Sequence, residues 1–146
     1  MSRRYAVLVV GAGVTGLTAA ALLAQGRHAN RLQVTVMDAA PRPAFDPGAD
    51  VDLRVSAIAQ GSVQLLQGIG AWQQVLDTRA SPYESMRVWD ESVEPDSHGA
   101  LQFDAAEFAV AQLGFIVENA LIRHALLAVL DKLDVELRFN TPADAF

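Results

Sequence analysis

Apolar and polar positions alternate along the chain in blocks that predict strands and helices in turn. The apolar run at residues 6–10 predicts a buried strand, and the alanine- and leucine-rich run at 14–25 predicts a helix. Residues 32–38 predict a second strand, whose Val34, Val36 and Met37 suit a parallel sheet covered on both faces. Three prolines and a glycine at residues 39–50 then predict an irregular loop. The start of the chain therefore indicates a strand–helix–strand unit followed by a loop.

The rest of the pattern predicts further helices and strands. They are expected, in chain order, as helices at residues 57–68 and 70–76, strands at 84–90 and 100–104, an apolar run at 114–118, a helix at 120–133 and a strand at 135–139. The helix at 120–133 has the clearest amphipathic pattern, and Asn119 before it is a natural N-cap. Met86, Val88 and Trp89 are expected to be partly buried. The order of elements indicates an α/β domain built on a parallel sheet, with an inserted helical and hairpin region.

Three glycines follow the first strand in the spacing Gly-x-Gly-x-x-Gly and open the first helix. Gly11 is expected to make a tight turn, Gly13 to admit a pyrophosphate without a Cβ in the way, and Gly16 to let the helix pack close to the strand. The amides of Val14, Thr15 and Gly16 would face the anion, helped by the helix dipole. This strand–turn–helix unit predicts a Rossmann-like fold that binds FAD or NAD(P).

An acidic residue at the end of the second strand supports the same interpretation. Asp38 lies 22 residues beyond Gly16, close to the roughly 20 expected for a carboxylate that binds a ribose hydroxyl. Three alternatives remain open at this point. The glycines could serve packing alone, the domain could be an NAD-dependent dehydrogenase or reductase, or it could be a non-enzymatic Rossmann binding module.

Composition excludes several other classes of protein. The formal net charge of −6 argues against a nucleic-acid partner, and the absence of cysteine excludes a disulfide framework and a thiolate nucleophile. His28, His98 and His124 are scattered without ligand spacing, so no metal site is expected. The uncharged stretch at residues 5–26 resembles a signal peptide or membrane span. Its glycine spacing and the strand that follows favour the folded start of a cytoplasmic protein.

Four further motifs resemble the aromatic hydroxylases of ubiquinone biosynthesis. They are Asp-Leu-Arg-Val-Ser-Ala-Ile at residues 52–58, Leu-x-x-Ile-Gly-Ala-Trp at 66–72, Met-x-Val-Trp-Asp at 86–90 and Ile-Val-Glu-Asn at 116–119. These hydroxylases are similar to para-hydroxybenzoate hydroxylase and are single-component FAD-dependent monooxygenases. The resemblance runs from Tyr5 to about Leu137.

The resemblance implies an activity and a cofactor. In the family, NAD(P)H reduces FAD, and the reduced flavin activates dioxygen to hydroxylate a phenol, here a ubiquinone precursor. Carried over by position, the glycine turn (Gly11, Gly13, Val14, Thr15 and Gly16) would cradle the FAD pyrophosphate and Asp38 would hold the adenosine ribose.

Two residues beyond the turn also acquire implied roles. Arg54 would lie near the pyrophosphate and Asn119 near the ribityl and flavin side. The plainer alternatives are a surface role for Arg54 and a purely capping role for Asn119. No residue is expected to be catalytic.

Family members are considerably longer than this chain. They carry further flavin motifs and a substrate-binding sheet domain that the sequence does not contain. Residues 1–146 are therefore expected to be the N-terminal, incomplete part of an FAD-binding domain, inactive alone and binding flavin weakly or not at all. The 51% hydrophobic content predicts an exposed apolar surface and self-association. A prenylated phenol substrate would add peripheral contact with the inner membrane to a cytoplasmic location. The ring position and the choice of NADH or NADPH stay open.

Overall fold

The computed structural model describes residues 4–143. Within this range the chain forms eight strands and four α-helices, joined by loops and two short 3₁₀ turns. The strands are β1 (Tyr5–Val10), β2 (Leu32–Met37), β3 (Val55–Ala59), β4 (Ser81–Tyr83), β5 (Ser85–Val88), β6 (Leu101–Asp104), β7 (Gly114–Glu118) and β8 (Val135–Arg138). The helices are α1 (Val14–Gln25), α2 (Gln60–Gly68), α3 (Trp72–Thr78) and α4 (Asn119–Leu130). The predicted α/β class is confirmed.

A parallel sheet in the order β1-β2-β8 carries the glycine turn at one end. Its register places Val34 and Val36 of β2 between β1 and β8, and both side chains are buried. The helices α1 and α4 pack against each other and supply most of the fully buried leucines and alanines, among them Leu17 and Leu126. The core therefore lies between this sheet and the helix pair, directly below the turn.

Only one face of the parallel sheet is covered by the residues that the structure describes. On the opposite face Leu8 and Val10 are about half exposed. Beside them the Thr35 hydroxyl donates to Glu136, which also pairs with Arg138. The expectation of a sheet covered on both faces is wrong for residues 4–143. The alternation of apolar and polar positions in β2 and β8, rather than an unbroken apolar run, reflects this one-sided burial.

The inserted region contains an antiparallel sheet, in the order β3-β7-β4, that the sequence pattern did not predict. Residues 57–59 belong to β3, so the predicted helix at 57–68 begins instead at Gln60. The sequence pattern does not predict the three-residue strand β4, because Pro82 stands in its middle and proline is depleted in strands. Proline is tolerated there because β4 is an edge strand, whose outer side needs no donor.

The hairpin β5-β6 projects beside this sheet and is apolar on one face. Met86 lies opposite Phe103 and Val88 opposite Leu101. Met86, Val88 and Trp89 are 40%, 48% and 48% exposed, so the expectation of partial burial is wrong. The described residues offer this face nothing to pack against.

The amphipathic pattern of the last helix is confirmed, with Leu121, Ile122 and Leu126 fully buried. The helix ends at Leu130 rather than residue 133. Trp72 packs edge-on against Phe115, with ring centroids 5.1 Å apart, which is a packing role. Among residues 4–143, none of the helices has both the length and the apolar character needed to cross a membrane.

Candidate functional site

Two of the three motif glycines are required by the protein's own geometry. Gly11 has φ of 102°, a conformation that favours glycine, and its amide donates to the Met37 carbonyl at 2.7 Å. A Cβ on Gly16 would lie 2.0 Å from the Gly11 carbonyl oxygen. Substituting either residue would therefore strain the turn, and the predicted packing roles agree with the structure.

Gly13 differs, because neither backbone conformation nor packing calls for glycine there. Its φ of −75° and ψ of 175° are open to any residue. A Cβ built on it meets no atom within 4 Å. The space beside Gly13 is an open cleft, so a side chain there would occupy volume that the protein itself leaves free.

This cleft has a volume of about 560 Å³ and is bounded by three separate parts of the chain. They are the start of α1, the segment leading into β3, and the first turn of α4. The lining residues are Gly13, Val14, Thr15, Asp52, Arg54, Ser56, Ile58, Asn119, Ala120, Ile122 and Arg123. Of the predicted site residues, five line the cleft directly, whereas Gly11, Gly16 and Asp38 lie in or beside the turn below it.

The start of α1 gives the cleft an anion-attracting wall. The first amides of a helix have no partner within the helix, and the helix dipole adds partial positive charge there. The first turn of α1 contains no acidic residue that would compensate it. The amides of Val14 and Thr15 are therefore placed to meet a negatively charged group.

Two arginines add full positive charge to the same cleft. Arg54 and Arg123 both line it, and within residues 4–143 neither guanidinium group forms an ion pair. Asp52 is the one carboxylate among the lining residues, and its Oδ1 accepts the Arg54 amide at 3.0 Å. The balance of charge in the cleft is positive, which suits a phosphate-bearing ligand.

Asp38 lies immediately after β2 and is held by the backbone of the turn. Its Oδ2 accepts the Ala12 amide at 2.6 Å, and its Oδ1 accepts the Ala40 amide at 2.8 Å. The bond from Ala12, reinforced by that from Ala40, lowers the pKa of the Asp38 carboxyl below its ordinary value. Asp38 is thus an ionised anchor of the glycine turn. Its predicted contact with a ribose remains a prediction.

Asn119 does not cap α4, because Glu118 occupies the N-cap position and Asn119 is the first residue of the helix. Its side-chain Oδ1 accepts a hydrogen bond from the Ser56 hydroxyl at 2.6 Å, and its backbone N–H donates to the Arg54 carbonyl at 3.0 Å. The capping alternative is therefore wrong. Asn119 instead joins α4 to β3 across the floor of the cleft.

A buried ion pair holds the segment that carries Arg54. Arg79 Nε lies 2.6 Å from Glu118 Oε2, and Glu118 Oε1 accepts the Asp52 amide at 2.8 Å. Burial raises the pKa of Glu118, but the bonds from Arg79 and the Asp52 amide outweigh it, and the net pKa is lowered. Arg79 also donates to the Ala49 carbonyl at 2.8 Å. One buried carboxylate thus fixes the end of the loop.

Arg123, Ser56 and the Arg79–Glu118 pair were missed by sequence reasoning. Arg123 lies four residues after Asn119, the spacing that brings side chains together on one helix face. That spacing was an available signal. Arg79 and Glu118 are far apart along the chain, so no signal in the sequence indicated that they pair.

Comparison with known proteins places this geometry among known folds. The family model of an NAD(P)-binding Rossmann-like domain matches residues 9–64. The mitochondrial ubiquinone biosynthesis monooxygenase COQ6 of Xenopus tropicalis is 34% identical over 142 residues, 95% of this chain and 29% of that protein. The 3-demethoxyubiquinol 3-hydroxylase of Escherichia coli K12 is 36% identical over 125 residues, 86% of this chain and 30% of that protein.

Solved structures show the same fold at lower identity. The p-nitrophenol 4-monooxygenase PnpA of Pseudomonas putida DLL-E4 superposes with a TM-score of 0.65 at 21% identity, over 96% of this chain and 32% of that one. PqsL of P. aeruginosa, in complex with 2-aminobenzoylacetate, gives a TM-score of 0.67 at 19% identity, over 98% of this chain and 35% of that one. The chain thus spans about a third or less of the proteins it matches. The resemblance indicated by the sequence motifs is confirmed: this chain is similar over 86–95% of its length to the two ubiquinone-biosynthesis enzymes named above.

Proposed function

We propose that this chain is the FAD-binding part of an NAD(P)H- and O₂-dependent monooxygenase that hydroxylates an aromatic ring, with a ubiquinone-precursor phenol as substrate. The observation that carries the proposal is Gly13. It is a glycine that the fold does not need, and it lies beside an open cleft with two arginines that form no ion pair within residues 4–143. The printed functions of the curated relatives favour this monooxygenase class.

The residues of the cleft fit a dinucleotide. The amides of Val14 and Thr15 would bind the pyrophosphate, with Gly13 leaving room for its oxygens. Arg54 would offer its guanidinium fork to the same phosphates, and Asn119 would lie toward the ribityl chain. Asp38, held ionised at the turn, would accept from the adenosine ribose. When bound, FAD would supply the redox chemistry of hydroxylation.

This part of the protein would bind and orient the cofactor without taking part in the chemical step. We assign no catalytic residue to it. The chain covers 29–30% of the curated relatives named above, so many contacts to a flavin would come from outside it. We therefore expect weak flavin binding and no hydroxylase activity from residues 1–146 alone.

A nicotinamide dinucleotide is the second candidate ligand for the same cleft. The matching family model describes an NAD(P)-binding domain, and an ionised Asp38 would favour NAD over NADP because it repels a 2′-phosphate. The Arg54 motif and the relatives favour FAD. Competition between the two ligands decides between an FAD monooxygenase and an NAD-dependent dehydrogenase.

The test is a titration of the 146-residue chain with FAD, followed by flavin fluorescence, in the parent and two alanine variants. Gly13→Ala places a methyl group in the cleft, and Gly61→Ala is the matched control because its Cβ also meets nothing within 4 Å. A methyl group in the path of the phosphate costs about 1–3 kcal/mol, or roughly 5- to 150-fold in Kd. Gly61→Ala should bind FAD like the parent.

Three outcomes would overturn the proposal. Equal FAD affinity in Gly13→Ala and the parent would show that the ligand does not approach Gly13. Tighter binding of NAD than of FAD would favour the dehydrogenase. No saturable binding of either would favour a module that holds no dinucleotide.

The setting of the complete protein is part of the same proposal. A ubiquinone-precursor substrate is apolar, so a cytoplasmic enzyme acting on it would make peripheral contact with the inner membrane. The exposed apolar hairpin face, formed by Met86, Val88, Leu101 and Phe103, would drive self-association of the chain studied alone.

A further inference from the structure

Arg123 lines the cleft and also contacts the glycine turn directly. It lies on α4, one turn after Asn119, and its Nε donates to the Ala12 carbonyl at 3.0 Å. The bond joins residues 111 positions apart. It places the guanidinium group beside the start of α1, where Arg123 lines the cleft.

The Ala12 peptide is held on both sides by side chains. Its amide donates to Asp38 Oδ2 at 2.6 Å and its carbonyl accepts from Arg123 Nε at 3.0 Å. Ala12 itself is fully buried. The first bond holds the Gly11–Ala12 peptide group and the second holds the Ala12–Gly13 peptide group, so both peptide groups that flank Ala12 are restrained and the turn is oriented before any ligand arrives.

The bond to Ala12 uses only part of the arginine. A guanidinium group has five N–H donors in a planar fork, of which Nε supplies one. Within residues 4–143 the two terminal nitrogens of Arg123 donate to no protein acceptor. Because Nε is fixed to the turn, these nitrogens are held at the cleft and are free to bind an anion bidentately.

Arg54 supplies a second guanidinium from the β3 side of the same cleft, and it too forms no ion pair with the residues that the structure describes. One phosphate group would need only one such fork. Two forks reaching the cleft from two elements, beside the amides of α1, match two linked phosphates.

We infer that Arg123 is a second phosphate-binding residue of the cleft, and that Arg123 and Arg54 together select a diphosphate ligand over a monophosphate. The inference rests on the proposed function, since both assign a dinucleotide to this cleft. It adds a residue with two tasks: Nε fixes the turn, and the terminal nitrogens bind the phosphate.

The test compares ADP with AMP as probes, by calorimetric titration of the 146-residue chain. The parent should bind ADP more tightly than AMP. Arg123→Gln removes the fork and should weaken ADP binding about 10- to 100-fold, the range for charge-assisted hydrogen bonds, while changing AMP binding much less. Arg123→Lys keeps the charge and should therefore recover part of the ADP affinity that Arg123→Gln loses. The recovery should be incomplete, because one ammonium group cannot both donate to Ala12 and bind a phosphate bidentately.

The matched control is Arg87→Gln. Arg87 lies on the exposed hairpin and pairs with Asp96, away from the cleft. This variant also removes one positive charge, and it should leave the ratio of ADP affinity to AMP affinity unchanged. If Arg123→Gln does not fold, Arg123→Lys tests the inference instead, and its ratio of ADP affinity to AMP affinity should be lower than that of the parent.

The failures are distinguishable. The inference would be overturned, with the dinucleotide site left intact, if Arg123→Gln kept the parent's ratio of ADP affinity to AMP affinity. The same holds for Arg123→Lys if it is tested in place of Arg123→Gln. A parent that binds FAD but does not distinguish ADP from AMP would also overturn it alone. A parent that binds neither ADP nor FAD would overturn both proposals.

Discussion

Replacing Arg79 with methionine removes the cation that compensates the buried Glu118 carboxylate. The Glu118 side chain is 4% exposed and that of Arg79 is 26% exposed. After the substitution the Asp52 amide would be the one remaining donor to the Glu118 carboxylate among residues 4–143. The variant therefore isolates the energetic role of the pair that holds the segment before Arg54.

The size of the effect follows from burial. Removing one partner of a buried ion pair destabilises a protein by about 3–5 kcal/mol. Arg79 is partly exposed, so water replaces part of what is lost, and we expect about 2–4 kcal/mol at pH 7. A second substitution, Glu118→Gln, removes the uncompensated charge. The double variant should therefore be more stable than Arg79→Met alone.

The assay is urea unfolding followed by the fluorescence of the buried Trp72. Arg87→Met is the control, because it breaks an exposed ion pair and should cost less than about 1 kcal/mol. In Arg79→Met, burial without the cation raises the pKa of Glu118. The loss of stability should then be largest at neutral pH. It should shrink as the pH falls toward the ordinary glutamate pKa of about 4.3, because Glu118 of the variant becomes protonated and loses its uncompensated charge.

The pH dependence provides the decisive check. A deficit that stays constant between neutral pH and about pH 4 would show that the carboxylate charge is not its cause. A double variant less stable than Arg79→Met would lead to the same conclusion. Either result would leave the pair as a packing contact.

Four further predictions follow from the same structure. Gly16→Ala should unfold at lower urea than Gly13→Ala, because its methyl group would overlap the Gly11 carbonyl; equal midpoints would contradict this close approach. Asp38, whose pKa is lowered in the folded state, should stabilise the protein above its unfolded pKa of about 3.9 and lose that contribution as pH falls. Asp38→Asn should therefore flatten the acid limb of a stability–pH profile, and an unchanged limb would exclude the carboxylate. The isolated chain should sediment as a dimer or larger species, whereas a clean monomer would refute self-association. As purified, it should show little absorbance at about 450 nm, and a stoichiometric yellow preparation would refute weak flavin binding.

The elements that were predicted correctly are those whose sequence pattern is clear within the element itself. The helices α1 and α4 have long apolar faces, and the glycine spacing marks its own turn, so neither needed knowledge of distant residues. The strand β3 was missed because Val-Ser-Ala-Ile-Ala is short and its partner, β7, lies about sixty residues away. A short apolar run reads equally well as the start of a helix.

The residues of the site also differ in whether the sequence could indicate them. Motif position assigned Gly13, Arg54 and Asn119 to one cofactor, and the structure brings the three residues to one cleft. Their contacts with a cofactor stay predictions. The four-residue spacing from Asn119 placed Arg123 on the same face of α4 but did not show what its side chain contacts. Its contact with Ala12 depends on how α4 packs on α1, which is a tertiary relation. Asn119 was assigned two possible roles because capping is a local property and the Ser56 hydrogen bond is not.

The long-range bonds around Ala12 bear on how the chain folds. The cleft is lined by residues of α1, β3 and α4, which are brought together by the β3–β7 pairing and the Arg123 bond, and each of these closes a loop of about sixty residues or more. Closures of this length are slow relative to helix formation. Nucleotide binding should therefore be among the last signals to appear during refolding, well after helical circular dichroism has recovered. The cleft thus reports completion of the topology rather than formation of its helices.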